Sequence, residues 1–289
     1  FARLTPKMKL RILERLQKLG HTVAMTGDGV NDVLALKKAN IGIAMGQIGT
    51  DVAREASDIV LADDNFASLI DAVEEGRVVF TNTRQASAFL ITTNLAEYLV
   101  IIISIAFGLP LPLIASQILW VNLVTDGLVD MPLAFEPGHG DVLNQKPRAK
   151  DENILSKEML GFLAPIVLCM VISSLWMFVD LLPQGIEKAR TGTFLVICLT
   201  QLINIFNMRS FDRSLFSIGF FSNKYLLAAV LGSLIILYLA LTNEFLVNIF
   251  SFVPLDRREV IEAIALSSLV LVVGELYKLR QNSINKNKV

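Results

Sequence analysis

Between Phe66 and Pro110 the chain has no proline and a helical apolar pattern, and from Ala86 to Phe107 it is apolar enough to cross a bilayer. A continuous helix over that stretch would be roughly 60 Å long, at 1.5 Å per residue. Its first half is amphipathic and charged, with Asp71, Glu74, Glu75 and Arg77. Five more apolar stretches follow, so the sequence predicts six spans, at about 84–108, 113–134, 160–182, 192–209, 225–249 and 259–279. Composition agrees with an integral membrane protein: 53% of residues are hydrophobic and mean hydropathy is +0.57, both high for a soluble domain of this length. A net charge of −1 gives no support to nucleic-acid binding. Cys169 and Cys198 lie inside apolar stretches and form neither a disulfide framework nor a metal spacing.

Residues 1 to about 76 read differently, as alternating helices and strands. A helix is expected over Lys7–Leu19, with Thr5 as N-cap and Pro6 at the first helical position. Strand-like runs follow at Thr22–Met25, Ile41–Met45 and Asp58–Leu61, separated by helix-like Asp32–Lys38 and Asp51–Ala56. Such alternation implies a parallel sheet flanked by helices, with ligands at the carboxyl ends of its strands. Thr26-Gly27-Asp28-Gly29-Val30-Asn31-Asp32 sits at one of those ends, as a strand-to-loop-to-helix junction. A junction of this kind aims backbone N–H groups and a helix N-terminus at an anion. Asp28 and Asp32, four residues apart, offer the oxygen ligands that Mg²⁺ takes and shares with phosphate. Gly27 and Gly29 let the backbone turn sharply. Asp, Gly and Asn also dominate ordinary turns, so the heptapeptide alone leaves a plain turn open.

The heptapeptide is followed by Ala35-Leu36-Lys37-Lys38-Ala39 and Ile41-Gly42-Ile43-Ala44-Met45-Gly46, and preceded by Phe1-Ala2-Arg3-Leu4-Thr5-Pro6 and Lys9. In this order the segments resemble the P-type ATPases, ion pumps of the haloacid-dehalogenase-like phosphotransferase superfamily. The resemblance implies that Lys9 contacts the phosphoryl group, Asp28 ligates Mg²⁺, and Asn31 and Asp32 support the site. ATP would be the phosphoryl donor. The family usually has Ala-Pro after the second Asp, where this chain has Val33-Leu34; that pair is expected to alter packing rather than magnesium binding. The fold it implies is an α-helical membrane bundle of six spans, preceded by a partial α/β, Rossmann-type phosphorylation domain. Residues 1–76 would be the C-terminal half of that domain, 77–135 a stalk helix with the first two spans, and 136–289 a four-span membrane domain. The stalk would join the phosphate site to the membrane. With no initiator Met, and with its first residue inside a family motif, the chain reads as the C-terminal part of a longer protein. The phosphorylated Asp of a D-K-T-G-T motif and the nucleotide-binding domain would lie in the missing N-terminal part, and the chain alone would be inactive.

Polar groups inside spans are costly and usually functional. The first span contains Asn94 and Glu97, three apart and so on one face. The second contains Asn122, Thr125 and Asp126, spaced i, i+3, i+4, and the fourth Gln201, Asn204 and Asn207. These are all oxygen ligands, which favours a hard cation over Zn²⁺ or Cu⁺. For the amides of the fourth span, hydrogen bonding between helices is the alternative role. Asn94-Leu95-Ala96-Glu97 and Leu119 to Gly127 are similar to the ion-binding segments of sarcoplasmic-reticulum-type calcium pumps. That similarity implies Ca²⁺ coordination by Asn94, Glu97, Asn122, Thr125 and Asp126. Gln201 stands where those pumps have a Glu, so one Ca²⁺ per cycle is expected rather than two. Sodium, proton or manganese transport stays open, as does a non-catalytic membrane protein derived from a pump's second half. Asp130, Glu136, Asp180, Glu244 and Glu275 read as structural, the last as a helix-end pair with Lys278.

Charge in the loops predicts orientation. Lys146, Arg148, Lys150, Lys157, Arg209, Arg213, Lys224, Lys278, Arg280, Lys286 and Lys288 fall on the side of the phosphate domain. Only Lys188, Arg190, Arg257 and Arg258 fall on the other. Eleven against four puts the phosphate domain and the C-terminus in the cytosol of a multi-pass protein embedded in the lipid bilayer.

Overall fold

A computed structural model of the chain describes residues 4–140, 142–144 and 156–286. Phe1, Ala2, Arg3, Lys146, Arg148, Lys150 and Lys288, and the side chains of Lys157 and Lys286, lie outside the described residues. The chain divides into two compact units that part between Gly76 and Arg77.

The first unit runs α1 (Pro6–Lys18), β1 (Ala24–Gly27), a 3-10 turn (Val30–Asp32), α2 (Val33–Lys38), β2 (Ile41–Met45), α3 (Asp51–Ala56) and β3 (Ile59–Leu61). The strands form a parallel sheet in the order β1-β2-β3. Four of the five β2 residues are buried, as expected of a central parallel strand. Ala44 packs with Leu36, Ala53 and Met25, while Ile43 and Met45 pack with Leu61 and Leu69. β1 begins two residues later than the β-branched run suggests, because pairing with β2 sets its limits, Ala24 opposite Ile41 and Gly27 opposite Ala44. Val23 is instead held by Asn40, whose side chain accepts its N–H at 2.9 Å. Pro6 opens α1 as expected, but the Thr5 side chain makes no capping hydrogen bond.

α4 (Phe66–Ala106) is a single 41-residue helix. It supplies the first of the six helices, among the described residues, that are long and apolar enough to cross a membrane. The second such segment, Ala115–Phe135, is broken into α5 (Ala115–Trp120), a π-helical turn (Val121–Asp126), α6 (Gly127–Val129) and a 3-10 turn (Met131–Phe135). α7 (Lys157–Leu181), α8 (Ile186–Met208), α9 (Leu215–Ile218), α10 (Lys224–Thr242), α11 (Glu244–Phe250) and α12 (Arg257–Lys286) complete it. α8 is the most enclosed span, with 89% of its apolar window buried, and it packs against α7 and α12. Thr193, Thr200, Gln201, Asn204 and Asn207 on α8 are therefore enclosed by protein.

Several limits differ from those read in the sequence. α8 begins at Ile186 rather than 192, its early charges being tolerated because Lys188 pairs with Glu259 at 2.7 Å and Arg190 donates to the Leu111 carbonyl. The fifth span ends at Thr242, where Asn243 accepts the N–H groups of Phe245 and Leu246 and starts α11. Glu244 is thus an exposed residue in the first turn of a separate short helix, not a group within a span. Glu275 and Lys278 do pair, at 3.1 Å, but inside α12 rather than at its end. Arg209 and Lys278, expected among loop charges, are both fully buried. Arg209 meets Glu136 at 2.7 Å, and Glu136 also accepts from Asn223 and from His139.

Candidate functional site

In the first unit the heptapeptide is arranged around a close contact. A Cβ on Gly27 would lie 2.5 Å from the Asp32 Cβ, so Gly27 is what lets that carboxylate fold back beneath the loop. Gly29 has no such neighbour nearer than 4.0 Å. Asp32 is buried and accepts from Lys9 Nζ at 2.7 Å, which carries α1 to the loop. Asp28 lies just beyond β1 with its carboxylate exposed and free of any hydrogen bond or ion pair from the described residues. Its carbonyl is fixed, accepting the Thr50 N–H at 2.8 Å. Asn31 is exposed, Thr26 is half-buried, and α2 starts one residue later than expected, after the Val30–Asp32 turn. Leu34, where the resemblance expects Pro, is 69% exposed and so changes little of the core.

One support of this loop escaped the sequence reading. Asp64 adopts φ +51° and its carboxylate accepts the backbone N–H groups of Gly46, Gln47 and Ile48 at 2.5, 3.0 and 2.8 Å. The bond from Gln47, with those from Ile48 and Gly46, outweighs desolvation and holds the carboxyl below its ordinary pKa. Arg54 braces the same segment from the other side by donating to the Gly46 and Gly49 carbonyls. The 46–49 segment leads directly to Thr50, and so to Asp28. The signal is the Asp63-Asp64 pair one residue beyond the end of β3.

The second candidate lies among α4, the π-helical turn and α8. Glu97 on α4 is buried; its Oε1 accepts from Gln201 Nε2 at 2.7 Å and its Oε2 from Asn122 Nδ2 at 3.3 Å. Asp126 is buried and accepts from the Thr93 hydroxyl at 3.0 Å through Oδ2. Asp126 Oδ1 and Gln201 Oε1 are buried without a hydrogen-bond partner. The Thr125 hydroxyl is buried and directed to Cys198 Sγ at 3.6 Å. No Lys, Arg or His pairs with either carboxylate among the described residues. Two like charges held out of water without a counter-charge are expensive, and a bound cation would relieve both that cost and the orphaned oxygens.

The geometry thus gathers Glu97, Asn122, Thr125, Asp126 and Gln201. The Asn94 Nδ2 donates back to the Leu90 carbonyl of its own helix at 2.7 Å. Asn207 donates to the Val270 carbonyl of α12 at 2.9 Å, an interhelical bond, and to Asn204 Oδ1 of its own helix at 3.3 Å; Asn204 Nδ2 and Asn207 Oδ1 are buried without a partner among the described residues. Thr93 and Cys198 were not expected. Thr93 could have been found from its place one turn before Glu97; Cys198 carried no signal within an apolar run.

The chain thus combines an α/β unit that bears a carboxylate-lined loop with a bundle of helices apolar enough to cross a membrane, in which Glu97 and Asp126 are buried without a cationic partner among the described residues. Residues 110–280 match the family described as cation transporting ATPase, C-terminus, and residues 1–40 match haloacid dehalogenase-like hydrolase. The chain is 40% identical over 281 residues to a calcium-transporting ATPase of Bacillus subtilis, covering 96% of this chain and 32% of that protein. It is 39% identical over 282 residues to calcium-transporting ATPase 1 of Saccharomyces cerevisiae, covering 96% and 30% respectively. Against calcium-transporting ATPase type 2C member 2 of Mus musculus it is 37% identical over 289 residues, covering 99% and 31%. The chain belongs to the cation-transporting P-type ATPase family. It spans about a third of the length of these relatives.

Proposed function

We propose that this chain works as the C-terminal part of an ATP-driven pump that carries Ca²⁺ across a membrane, one ion per cycle. The observation that carries the reading is the pair Glu97 and Asp126, buried with no cationic side chain among the described residues to pair them, beside the unpartnered Asp126 Oδ1 and Gln201 Oε1. Two carboxylates balance one divalent cation, and amide and hydroxyl oxygens from Asn122, Gln201 and Thr125 suit a hard ion. Asn94 would join them by releasing the Leu90 carbonyl. Relatives named calcium-transporting support the choice of ion.

ATP would be hydrolysed through an aspartyl phosphate formed on residues that this chain does not contain, so the chain alone would not turn over. Asp28 fits a magnesium ligand: its carboxylate is exposed, unpaired and held by a fixed backbone at the end of β1. Bound Mg²⁺ would neutralise charge on the phosphoryl oxygens. Lys9, held by Asp32, would place an ammonium against that developing charge. Asn31 would contribute its exposed amide, and Thr26 to Gly29 the backbone around the phosphoryl group. The first unit and the C-terminus would be cytosolic, on the balance of loop charges.

The test is equilibrium ⁴⁵Ca binding to the purified full-length pump and to its Glu97→Gln and Asp126→Asn variants. One site per molecule in the wild type, severely weakened in both variants, is expected. Two sites would refute the stoichiometry. Unchanged affinity in both variants would remove the site and leave these residues as interhelical pairing groups.

A further inference from the structure

Cys198 is fully buried on α8, three residues before Gln201, and no role described above uses it. Its Sγ accepts the Thr125 hydroxyl hydrogen at 3.6 Å. Glu97 and Asp126 are both within electrostatic reach of the thiol. A hydroxyl ligates a cation only through its lone pairs, so its hydrogen must have somewhere else to go. Helical threonines usually spend that hydrogen on the carbonyl four residues back, as Thr81, Thr83 and Thr92 do here. Thr125 lies in the π-helical turn and gives it to sulfur instead.

We propose that Cys198 is a positioning residue for the transported cation: its Sγ takes the Thr125 hydroxyl hydrogen and leaves that oxygen's lone pairs free for the ion held by Glu97 and Asp126. The proposal rests on the ion-site reading given above. The second, independent mark of a ligand is the pair of buried oxygens, Asp126 Oδ1 and Gln201 Oε1, that no donor satisfies. Sulfur is a weak acceptor, so it orients the hydroxyl without competing for the ion. A valine at this position would keep the bulk and lose the acceptor, whereas a serine would keep an acceptor.

Equilibrium ⁴⁵Ca binding to the full-length pump tests this through a double-mutant cycle. Cys198→Val should weaken binding about fivefold, the worth of one ordinary hydrogen bond, and Cys198→Ser should stay within about twofold of wild type. On a Thr125→Val background, Cys198→Val should have no further effect, because the hydroxyl it orients is gone. Glu97→Gln is measured alongside. If it weakens binding while the effects of Thr125→Val and Cys198→Val multiply independently, or while Cys198→Val binds like wild type, Cys198 is only packing and the proposal fails. If Glu97→Gln leaves binding intact, the ion site itself is misplaced and the proposal falls with it. Should Cys198→Val not fold, the same cycle is run with Cys198→Ala.

Discussion

Glu136 and Arg209 offer the sharpest test of the energetics. Arg209 is fully buried at the end of α8, and its Nε and Nη2 both donate to Glu136, at 2.9 and 2.7 Å. Its Nη1 reaches the Gly219 and Phe220 carbonyls, and Ser222 accepts from Nη2. Glu136→Gln keeps the shape and removes the charge, leaving a guanidinium buried with neutral acceptors only. Breaking a buried pair from one side costs about 3–5 kcal/mol, and the surviving carbonyl bonds put this case near the lower figure, about 3 kcal/mol. Replacing both partners, as Glu136→Leu with Arg209→Met, should cost less than the sum of the two single changes, since no charge is then stranded.

The assay is reversible unfolding of the chain in mixed detergent micelles, followed by tryptophan fluorescence from neutral to acid pH. Burial pushes the Glu136 carboxyl up, but hydrogen bonds from His139, Arg209 and Asn223 together outweigh it and hold the pKa below the usual glutamate value of 4.5. A depressed carboxylate contributes stability that is fully present above its unfolded pKa and is lost as pH falls through its folded value. The gap between wild type and Glu136→Gln should therefore be full at neutral pH and close only in acid. A gap under about 0.5 kcal/mol at pH 7, the size of an ordinary surface change, would refute the reasoning. So would a gap that widens on acidification.

The first unit yields three further predictions. Asp28→Asn in the full-length pump should abolish Mg²⁺-dependent ATPase activity; near-normal turnover at ordinary Mg²⁺ would remove the assignment. Lys9→Ala should slow phosphoenzyme formation by at least about tenfold, the equivalent of 1.4 kcal/mol. Rapid-quench rates equal to wild type would make Lys9 only a partner for Asp32. Asp64→Ala strips the acceptor from three backbone N–H groups and should loosen the 46–49 segment; faster amide exchange at Gln47 and Ile48, with a raised Mg²⁺ requirement, is expected. Unchanged exchange there would show that Arg54 alone suffices.

The six spans were legible because length and apolarity are written along the chain and need no partner to be read. The β1 limits were not, since hydrogen bonding to β2 fixes them and propensity does not. The second span shows the limit best. Its Asn122, Thr125 and Asp126 spacing reads as one helical face, but a π-helical turn changes the hydrogen-bond register from i→i+4 to i→i+5 and hydrophobic periodicity carries no trace of that. Thr125 and Asp126 stay buried while Asn122 is exposed and reaches Glu97 only through its Nδ2. Arg209 was counted as a loop charge because its partner Glu136 is 73 residues away. Such pairings belong to the packing of α8 and cannot be read locally.

Among the described residues of the second unit five carboxylates are buried: Glu97, Asp126, Glu136, Glu259 and Glu275. Three of them face a cation, Glu136 with Arg209, Glu259 with Lys188 and Glu275 with Lys278, at 2.7, 2.7 and 3.1 Å. The fold thus neutralises these buried acids with a cationic side chain, between elements for Glu136 and Glu259 and within α12 for Glu275. Glu97 and Asp126 break that rule, Glu97 on α4 and Asp126 in the π-helical turn of the second span. A packing role would have been served by an amide, as Asn207 serves it on the Val270 carbonyl of α12, without the cost of two charges. What distinguishes the candidate ion site is therefore less the presence of carboxylates than the absence, among the described residues, of any side chain of opposite sign beside them, a deficit that the proposed cation would fill.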